Sequence, residues 1–415
     1  MRQRAMTRIV PRPWLMLVVM VFGQASTTVV TATPAFLIPY LHQVEGMSLA
    51  SAGLLAGAPS LGLVLSLIAW GAAADRYGER KVLIIGLSLT VLAVLGSMFA
   101  HGFVMLGIAL VVSGAMSACI NNASGRLITG WFPAERRGLA MGIRQTCQPI
   151  GMAIAALVVP TLAIHFGISG ALAFGGVLTF ISVVCCVFAV VDPKVPPRAQ
   201  AALNSNPYRE SWTLARIHAV SVLLVVPQFV LSTFGLVWFT VDFGWSELAA
   251  GALVAAAQLL GAGGRIVAGV WSDRVASRLL PLRQVAIAGV VVLLLAAAFG
   301  WADWSIAAAV VFVIASCVSV ADNGLAFTAV AEIAGPQWAG RALGTQNTGQ
   351  FLASAVVPSI VGGLIGLIGI PASLALVALT PAIALPLIPS ELDAHRTATR
   401  QARSLKNTDS SSTAR

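Results

Sequence analysis

The chain has 415 residues, of which 58% are hydrophobic and 10% charged, with a formal net charge of +10. A soluble domain of this length has no interior large enough to hide so much apolar surface, so that class is excluded. Nucleic acid is excluded as the reason for the basic balance, because the cations are dispersed over many short polar segments without interleaved aromatic platforms; anionic lipid headgroups are the expected partner.

Roughly 20 apolar residues are needed to cross about 30 Å of hydrocarbon. Twelve runs of that kind follow one another, at 14–40, 48–70, 82–100, 104–129, 139–164, 168–191, 217–241, 247–271, 285–301, 304–333, 344–367 and 371–390. We call them spans one to twelve. Lipid offers no partner for backbone N–H and C=O groups, so each span must be a helix that satisfies its own ladder. The predicted fold class is therefore an all-α membrane protein of twelve transmembrane helices. The first run is longer than a secretory h-region and eleven more follow it, so a cleaved leader is not expected.

Lysine and arginine set the orientation. With the N-terminus inside, every Lys and Arg falls on a cytoplasmic segment except Arg126, Arg144 and Arg265, which lie within spans. The outer loops carry Glu45, Asp242, Glu247 and Asp303 instead. Both termini are expected in the cytoplasm and the protein in the cytoplasmic (inner) membrane. The five cysteines, Cys119, Cys147, Cys185, Cys186 and Cys317, all lie within spans without a C-x-x-C spacing, and are read as small packing residues.

A Pro-, Arg- and Asn-rich stretch at 192–216 divides the spans six and six. The expected organisation is an N-terminal six-helix bundle (1–191), a cytoplasmic central loop (192–216), a C-terminal bundle (217–390) and a disordered tail (391–415). The halves repeat. GAAADR from Gly71 to Arg76 is echoed by GVWSDR from Gly269 to Arg274, at an offset of 198. Gly138, Ala140, Gly142, Thr146 and Gln148 are echoed by Gly340, Ala342, Gly344, Thr348 and Gln350 at 202, and Asn121-Asn122 by Asp322-Asn323 at 201.

Parallel six-helix halves are a transporter architecture, with a solute site expected near mid-membrane. Polar side chains support that reading. Spans two, three, six, nine and twelve hold no Asn, Gln, His or charged residue in their interiors. The other seven carry Gln24, Asn121, Asn122, Arg126, Arg144, Gln145, Gln148, Gln228, Gln258, Arg265, Asp322, Asn323, Gln346, Asn347 and Gln350. Polar groups in hydrocarbon cost several kcal/mol unless partnered or wet, so these helices are expected to line an aqueous cavity.

The run GAAADRYGERKVL, from Gly71 to Leu83, resembles the loop 2–3 signature of the major facilitator superfamily, and GVWSDR resembles its weaker copy in loop 8–9. Glu79 replaces a residue that is often basic, and Ala276 stands where the second copy lacks its glycine. The resemblance covers essentially the whole chain. It implies two pseudo-symmetric six-helix bundles and a cytoplasmic gate at Gly71, Asp75, Arg76, Gly78, Arg80, Asp273 and Arg274. In it, Asp75 and Arg76 pair with neighbouring helix ends as a latch. The run GIRQTCQPIGMA from Gly142 keeps only Pro149 and Gly151 of the glycine-dense span-five pattern of efflux antiporters, and sugar-porter turns are absent.

Arg144 lies about 8 Å inside span five by helical rise, with Gln148 one turn deeper on the same face. An arginine fork suits a carboxylate; the alternative is an arginine that snorkels to headgroups. Arg126 shares a face with Asn122 and is either a solute contact or a partner of Glu135. Arg265 is read as structural, with Glu332 as its partner, the alternative being a solute contact. Asn121, Asn122, Gln346, Asn347 and Gln350 are suited either to bonding a solute or to bridging helices. Asp322 is the most central acid, too costly to keep charged at that depth, and is the candidate proton-coupling residue. Pro34, Pro39, Pro149, Pro160, Pro227 and Pro358 are read as kinks.

These features predict a secondary transporter that moves a small organic solute, an anionic carboxylate, with protons by alternating access. Drug–proton antiport is the alternative. No Ser/His/Asp or metal-ligand grouping supports an enzyme; the histidines, His42, His101, His165, His218 and His395, are scattered. No cofactor or metal is expected, and the protein is expected to act as a monomer.

Overall fold

A computed structural model of the chain describes residues 13–132, 140, 143–144, 146–192, 208, 212–275 and 277–390. The expectations for the central loop fall mostly outside these residues, and those for the tail wholly so. All described secondary structure is helical. Ten helical stretches among the described residues are long and apolar enough to cross a bilayer. Two of these, Cys147–Ala189 (43 residues) and Arg341–Leu387 (47 residues), would extend about 65–70 Å if straight, twice a hydrocarbon core. Each is turned by a glycine at positive φ: Gly167 at +68° and Gly369 at +79°. A side chain there would strain the backbone, so glycine marks where one span ends and the next begins without a loop. Spans five and six share the first stretch, and spans eleven and twelve the second. The described chain therefore carries twelve membrane-length segments.

Helical hydrogen bonding continues from Ser305 to Val377, through spans ten and eleven. Asn323 and Gln350 would stand about 40 Å apart in a straight helix, yet their side chains are hydrogen-bonded, so the chain folds back between them. Helix Leu49–Tyr77 outlasts its apolar run by two turns, because Ala72, Ala73 and Ala74 continue it until Gly78, at φ +87°, stops it. GAAADR is thus helix, not loop, and GVWSDR likewise lies within Glu247–Arg274. Of the expected proline kinks, Pro39 and Pro149 stand in the first turns of Ile38–Gln43 and Cys147–Ala189, where proline costs a helix little.

The chain divides into two compact units, one from Met1–Leu37 and Ala58–Pro197, the other from Ile38–Gly57 and Arg198–Arg415. In the first unit the core gathers Leu83, Leu87, Cys119, Ile120 and Ala123. Small residues let helix backbones touch there. A side chain at Gly62 would overlap the carbonyl of Val111, and one at Gly114 that of Pro59. Ser66 Oγ and Trp70 Nε1 both donate to the carbonyl of Ala115, at 2.7 and 2.8 Å.

Near loop 2–3, two helix ends exchange caps. Asp192, just past Ala189, accepts the backbone N–H of Arg80 at 2.7 Å, in the first turn of helix Glu79–Met98, whose own N-cap is a glycine without a side chain. The Arg80 guanidinium donates to the carbonyl of Val187 at 2.7 Å. A carboxylate thus meets a helix N-terminus and a cation a C-terminus, as the helix dipoles favour.

The second unit packs Leu214, Ile217, Leu224, Leu282, Leu325 and Val330 at its core. Arg216 Nε donates to the carbonyl of Leu387 at 3.0 Å, closing the last helix. Span seven ends in a π-helical turn, Trp238–Asp242, whose Trp238 and Phe239 pack with Phe243, Trp245 and Phe312. Arg278 lies 3.2 Å from Glu332. It is Arg278, not Arg265, that holds Glu332; its register equivalent at an offset of 198 is Arg80.

Candidate functional site

In the first unit, spans one, four and five bring polar groups together. Gln24 Nε2 donates to Asn121 Oδ1 at 3.0 Å. Arg144 Nε donates to Ser124 Oγ at 2.9 Å, and its Nη2 to the backbone carbonyl of Asn121 at 2.9 Å. The guanidinium is therefore drawn onto span four and does not snorkel. Gln24 is buried, and its Oε1 has no partner among the described residues. Gln148, a turn beyond Arg144, is exposed. The side chains of Asn122 and Arg126, and all of Gln145, lie outside the described residues.

In the second unit, spans seven, ten and eleven build a neutral amide ladder. Asn323 Nδ2 donates to Gln228 Oε1 at 2.8 Å, and Gln350 Nε2 donates both to Asn323 Oδ1 at 2.8 Å and to Ser221 Oγ at 2.9 Å. One turn before Gln350, Gln346 Oε1 meets His218 Nδ1 at 3.1 Å, and His218 Nε2 meets the Tyr208 hydroxyl at 2.9 Å. Asn347 is half-buried, and its side chain makes no hydrogen bond to a described residue.

These bonds fix how the halves correspond. Gln24–Asn121 is matched by Gln228–Asn323, so Asn121 is the counterpart of Asn323, at 202 and not at the offset of 201 that adjacent sequence suggests. The same offset pairs Arg144 with Gln346 and Gln148 with Gln350. One half places a fixed cation where the other has a neutral amide.

Asp322 then corresponds to Ile120, a fully buried core residue packed on Gly23. It points away from the ladder that its neighbour Asn323 joins. Asp322 is 0% exposed, and neither carboxylate oxygen has a hydrogen-bond partner among the described residues. It lines a small apolar cavity with Leu224, Pro227, Gly289, Leu293, Ser319 and Pro381. Arg265 is close enough to act on it electrostatically.

Of the residues expected at the gate, Arg80 is engaged by Asp192, and Gly78 stands beside that carboxylate. Gly71 is half-buried, and Arg76 and Arg274 are exposed. The helix-end pairing expected of Arg76 is made by Arg80; Arg76 instead lies 5.4 Å over the Tyr77 ring. The side chains of Asp75 and Asp273 lie outside the described residues.

Sequence reading missed Ser124, Asp192, Ser221, His218 and Arg278. The repeat offset of 198 from Arg80 was a usable signal for Arg278. Nothing local marks His218, whose role rests on Gln346, 128 residues away.

The family model described as Major Facilitator Superfamily matches residues 15–358. Over 381 residues the chain is 43% identical to an uncharacterised MFS-type transporter of Mycobacterium tuberculosis, covering 91% of this chain and 85% of that protein. It is 26% identical over 128 residues to a hexuronate transporter of Bacillus subtilis, covering 31% of this chain and 30% of that protein. Its fold is similar to that of a bacterial homologue of the human lysosomal transporter Spinster, with a TM-score of 0.77 and 16% identity over 94% of this chain and 98% of that one.

Proposed function

The chain belongs to the Major Facilitator Superfamily of membrane transporters, and from that premise we propose that it carries a small organic carboxylate across the cytoplasmic membrane, with protons, by alternating access. Both termini face the cytoplasm in this reading. The observation that carries it is Arg144, a cation within a span whose guanidinium donates to Ser124 Oγ and to the Asn121 carbonyl. Holding a cation at such depth is costly, and an anionic solute that offsets this cost gives it a use. The fork that binds these oxygens also suits a carboxylate.

The amide ladder of Gln228, Asn323 and Gln350 supplies neutral groups for the remainder of the solute, with Gln346, Asn347, Gln148, Asn121, Asn122 and Arg126 as further contacts. Amides read hydroxyl and carbonyl groups without adding charge. Similarity to a hexuronate transporter favours a hydroxylated carboxylate. Asp322 takes the coupling proton: it stands where the other half has isoleucine, in a cavity where a charged carboxylate is poorly supported. Gly71, Asp75, Arg76, Gly78, Arg80, Asp273 and Arg274 form the cytoplasmic gate. The protein works as a monomer among anionic lipids.

Purified protein in liposomes tests this with radiolabelled glucuronate and an imposed pH gradient. Accumulation against the glucuronate gradient is expected, lost in Arg144→Ala, and reduced to simple equilibration in Asp322→Asn. Uptake by Asp322→Asn that still follows the pH gradient refutes the coupling assignment. If a panel of carboxylates is ignored while expression raises resistance to lipophilic cations, the drug-antiport reading replaces this one.

A further inference from the structure

The Tyr208–His218–Gln346 chain is absorbed neither by the fold nor by the transport reading. His218 stands about 8 Å into helix Thr213–Val237, at the depth of Gln346 in span eleven. Both ring nitrogens are engaged, Nδ1 with Gln346 Oε1 at 3.1 Å and Nε2 with Tyr208 Oη at 2.9 Å. Tyr208 also stacks on the ring, with centroids 5.9 Å apart, and packs edge-on against Trp338. Gln346 is 1% exposed, and its Nε2 has no acceptor among the described residues.

With the amide oxygen facing Nδ1, that nitrogen carries the hydrogen and Nε2 accepts from the Tyr208 hydroxyl. A second proton on the ring breaks neither contact, since Tyr208 Oη accepts as readily as it donates once its hydrogen turns away. A doubly protonated ring also makes the Gln346 orientation obligatory: two N–H donors require the amide oxygen at Nδ1 and send the NH2 group away from His218. With a neutral ring the amide can reverse, its NH2 donating to a bare Nδ1 while Nε2–H donates to Tyr208.

We propose that His218 is a proton-binding, positioning residue whose charge state sets which end of the Gln346 amide is offered to the solute. The inference rests on the reading that Gln346 contacts solute, and it names a group that solute must carry: a proton on His218 presents N–H donors, which select an acceptor such as a carboxylate oxygen. The repeat sharpens the point. Gln346 is the counterpart of Arg144, and at the offset of 204 that pairs Gln24 with Gln228, His218 is the counterpart of Trp14, which packs edge-on against Phe132. The first half has a fixed cation at this level; the second has a switchable one.

Among the described residues of the packed elements, several charged and titratable groups are engaged elsewhere. Glu332 is held by Arg278, Arg341 lies over Trp338, Arg216 donates to the carbonyl of Leu387, and His42 bonds to Met47. Asp322 lies in its own cavity with Arg265 in electrostatic range, and Arg274 is exposed. The role differs from that of Asp322, which has no hydrogen bond to the ladder among the described residues.

Two measurements on the full chain test this. In nanodiscs, ¹⁵N-histidine spectra assign His218 by its loss in His218→Gln. The neutral ring is expected to show both tautomers at alkaline pH and to gain a second proton as the pH is lowered. A ring that stays in one state throughout, or that is the Nδ1–H tautomer alone when neutral, overturns the proposal. In liposomes without a pH gradient, glucuronate counterflow by the unaltered protein is expected to show a KM about fivefold lower at the acid end, the effect of one hydrogen bond. His218→Gln should abolish that dependence and Tyr208→Phe, which keeps the ring, should retain it. Equal flattening by Tyr208→Phe would mean that the ring only anchors the chain at Tyr208, and also overturns the proposal. If glucuronate is not carried at all, the carboxylate reading has failed, and the spectra alone decide the assignment of His218.

Discussion

Gly78→Ala, at the stop of the helix that carries the family signature, has a cost that can be worked out. Gly78 sits at φ +87°, ψ 158°, a region held essentially by glycine alone, so alanine costs about 1–3 kcal/mol in backbone strain. The new Cβ would lie 2.6 Å from Asp192 Oδ2, too close for either to stay in place. Moving Asp192 breaks its 2.7 Å bond to the Arg80 N–H, and losing an N-cap costs about 0.5–2 kcal/mol. The substitution should therefore destabilise the first unit by about 1.5–5 kcal/mol, and Asp192→Ala alone by about 0.5–2 kcal/mol. Because both lose the same cap, the double variant should fall short of the sum by about the cap energy. Cys119 and Cys186 are buried thiols outside any disulfide, so a thiol-reactive dye reports thermal opening. Full additivity, or no destabilisation by Gly78→Ala, would refute the shared cap.

Three further outcomes are expected. Arg144→Lys keeps the charge but not the fork that binds Ser124 and the Asn121 carbonyl together, so glucuronate affinity should fall about tenfold in equilibrium binding. Asn323→Leu leaves Gln228 and Gln350 without their shared partner and should cost about 1 kcal/mol in thermal stability, since interhelical hydrogen bonds in bilayers are individually modest. Glu332→Ala should cost under about 1 kcal/mol, and less in high salt, because the Arg278 and Glu332 side chains are 28% and 54% exposed.

The membrane class, the twelve crossing segments and the duplication were legible because bilayer physics acts on local composition. A run of apolar residues is a helix in lipid whatever its neighbours do. The positions of the turns were partly legible too: Gly167 and Gly369 were visible as glycines, though nothing in composition told them from the helix-packing glycines of Gly62 or Gly114. Element ends were harder, since alanines carry a helix past the edge of its apolar run, as after span two.

The polar residues divide the same way. Sequence alone identified Arg144, Asn121, Gln346 and Gln350 as polar groups needing an account within hydrocarbon, since the cost of burying each is a property of the residue. Direction and pairing were decided by the tertiary structure. Whether Arg144 snorkels or turns inward depends on Ser124 and a backbone carbonyl on another helix. Asp322 and Asn323 are adjacent in the chain, yet one joins an amide ladder and the other enters an apolar cavity, because successive residues on a helix point about 100° apart. His218 is one of five scattered histidines until folding sets it against Gln346. Partition into lipid is a sum over local residues, whereas a hydrogen bond needs two groups within about 3 Å, and only the packing of distant helices supplies that proximity.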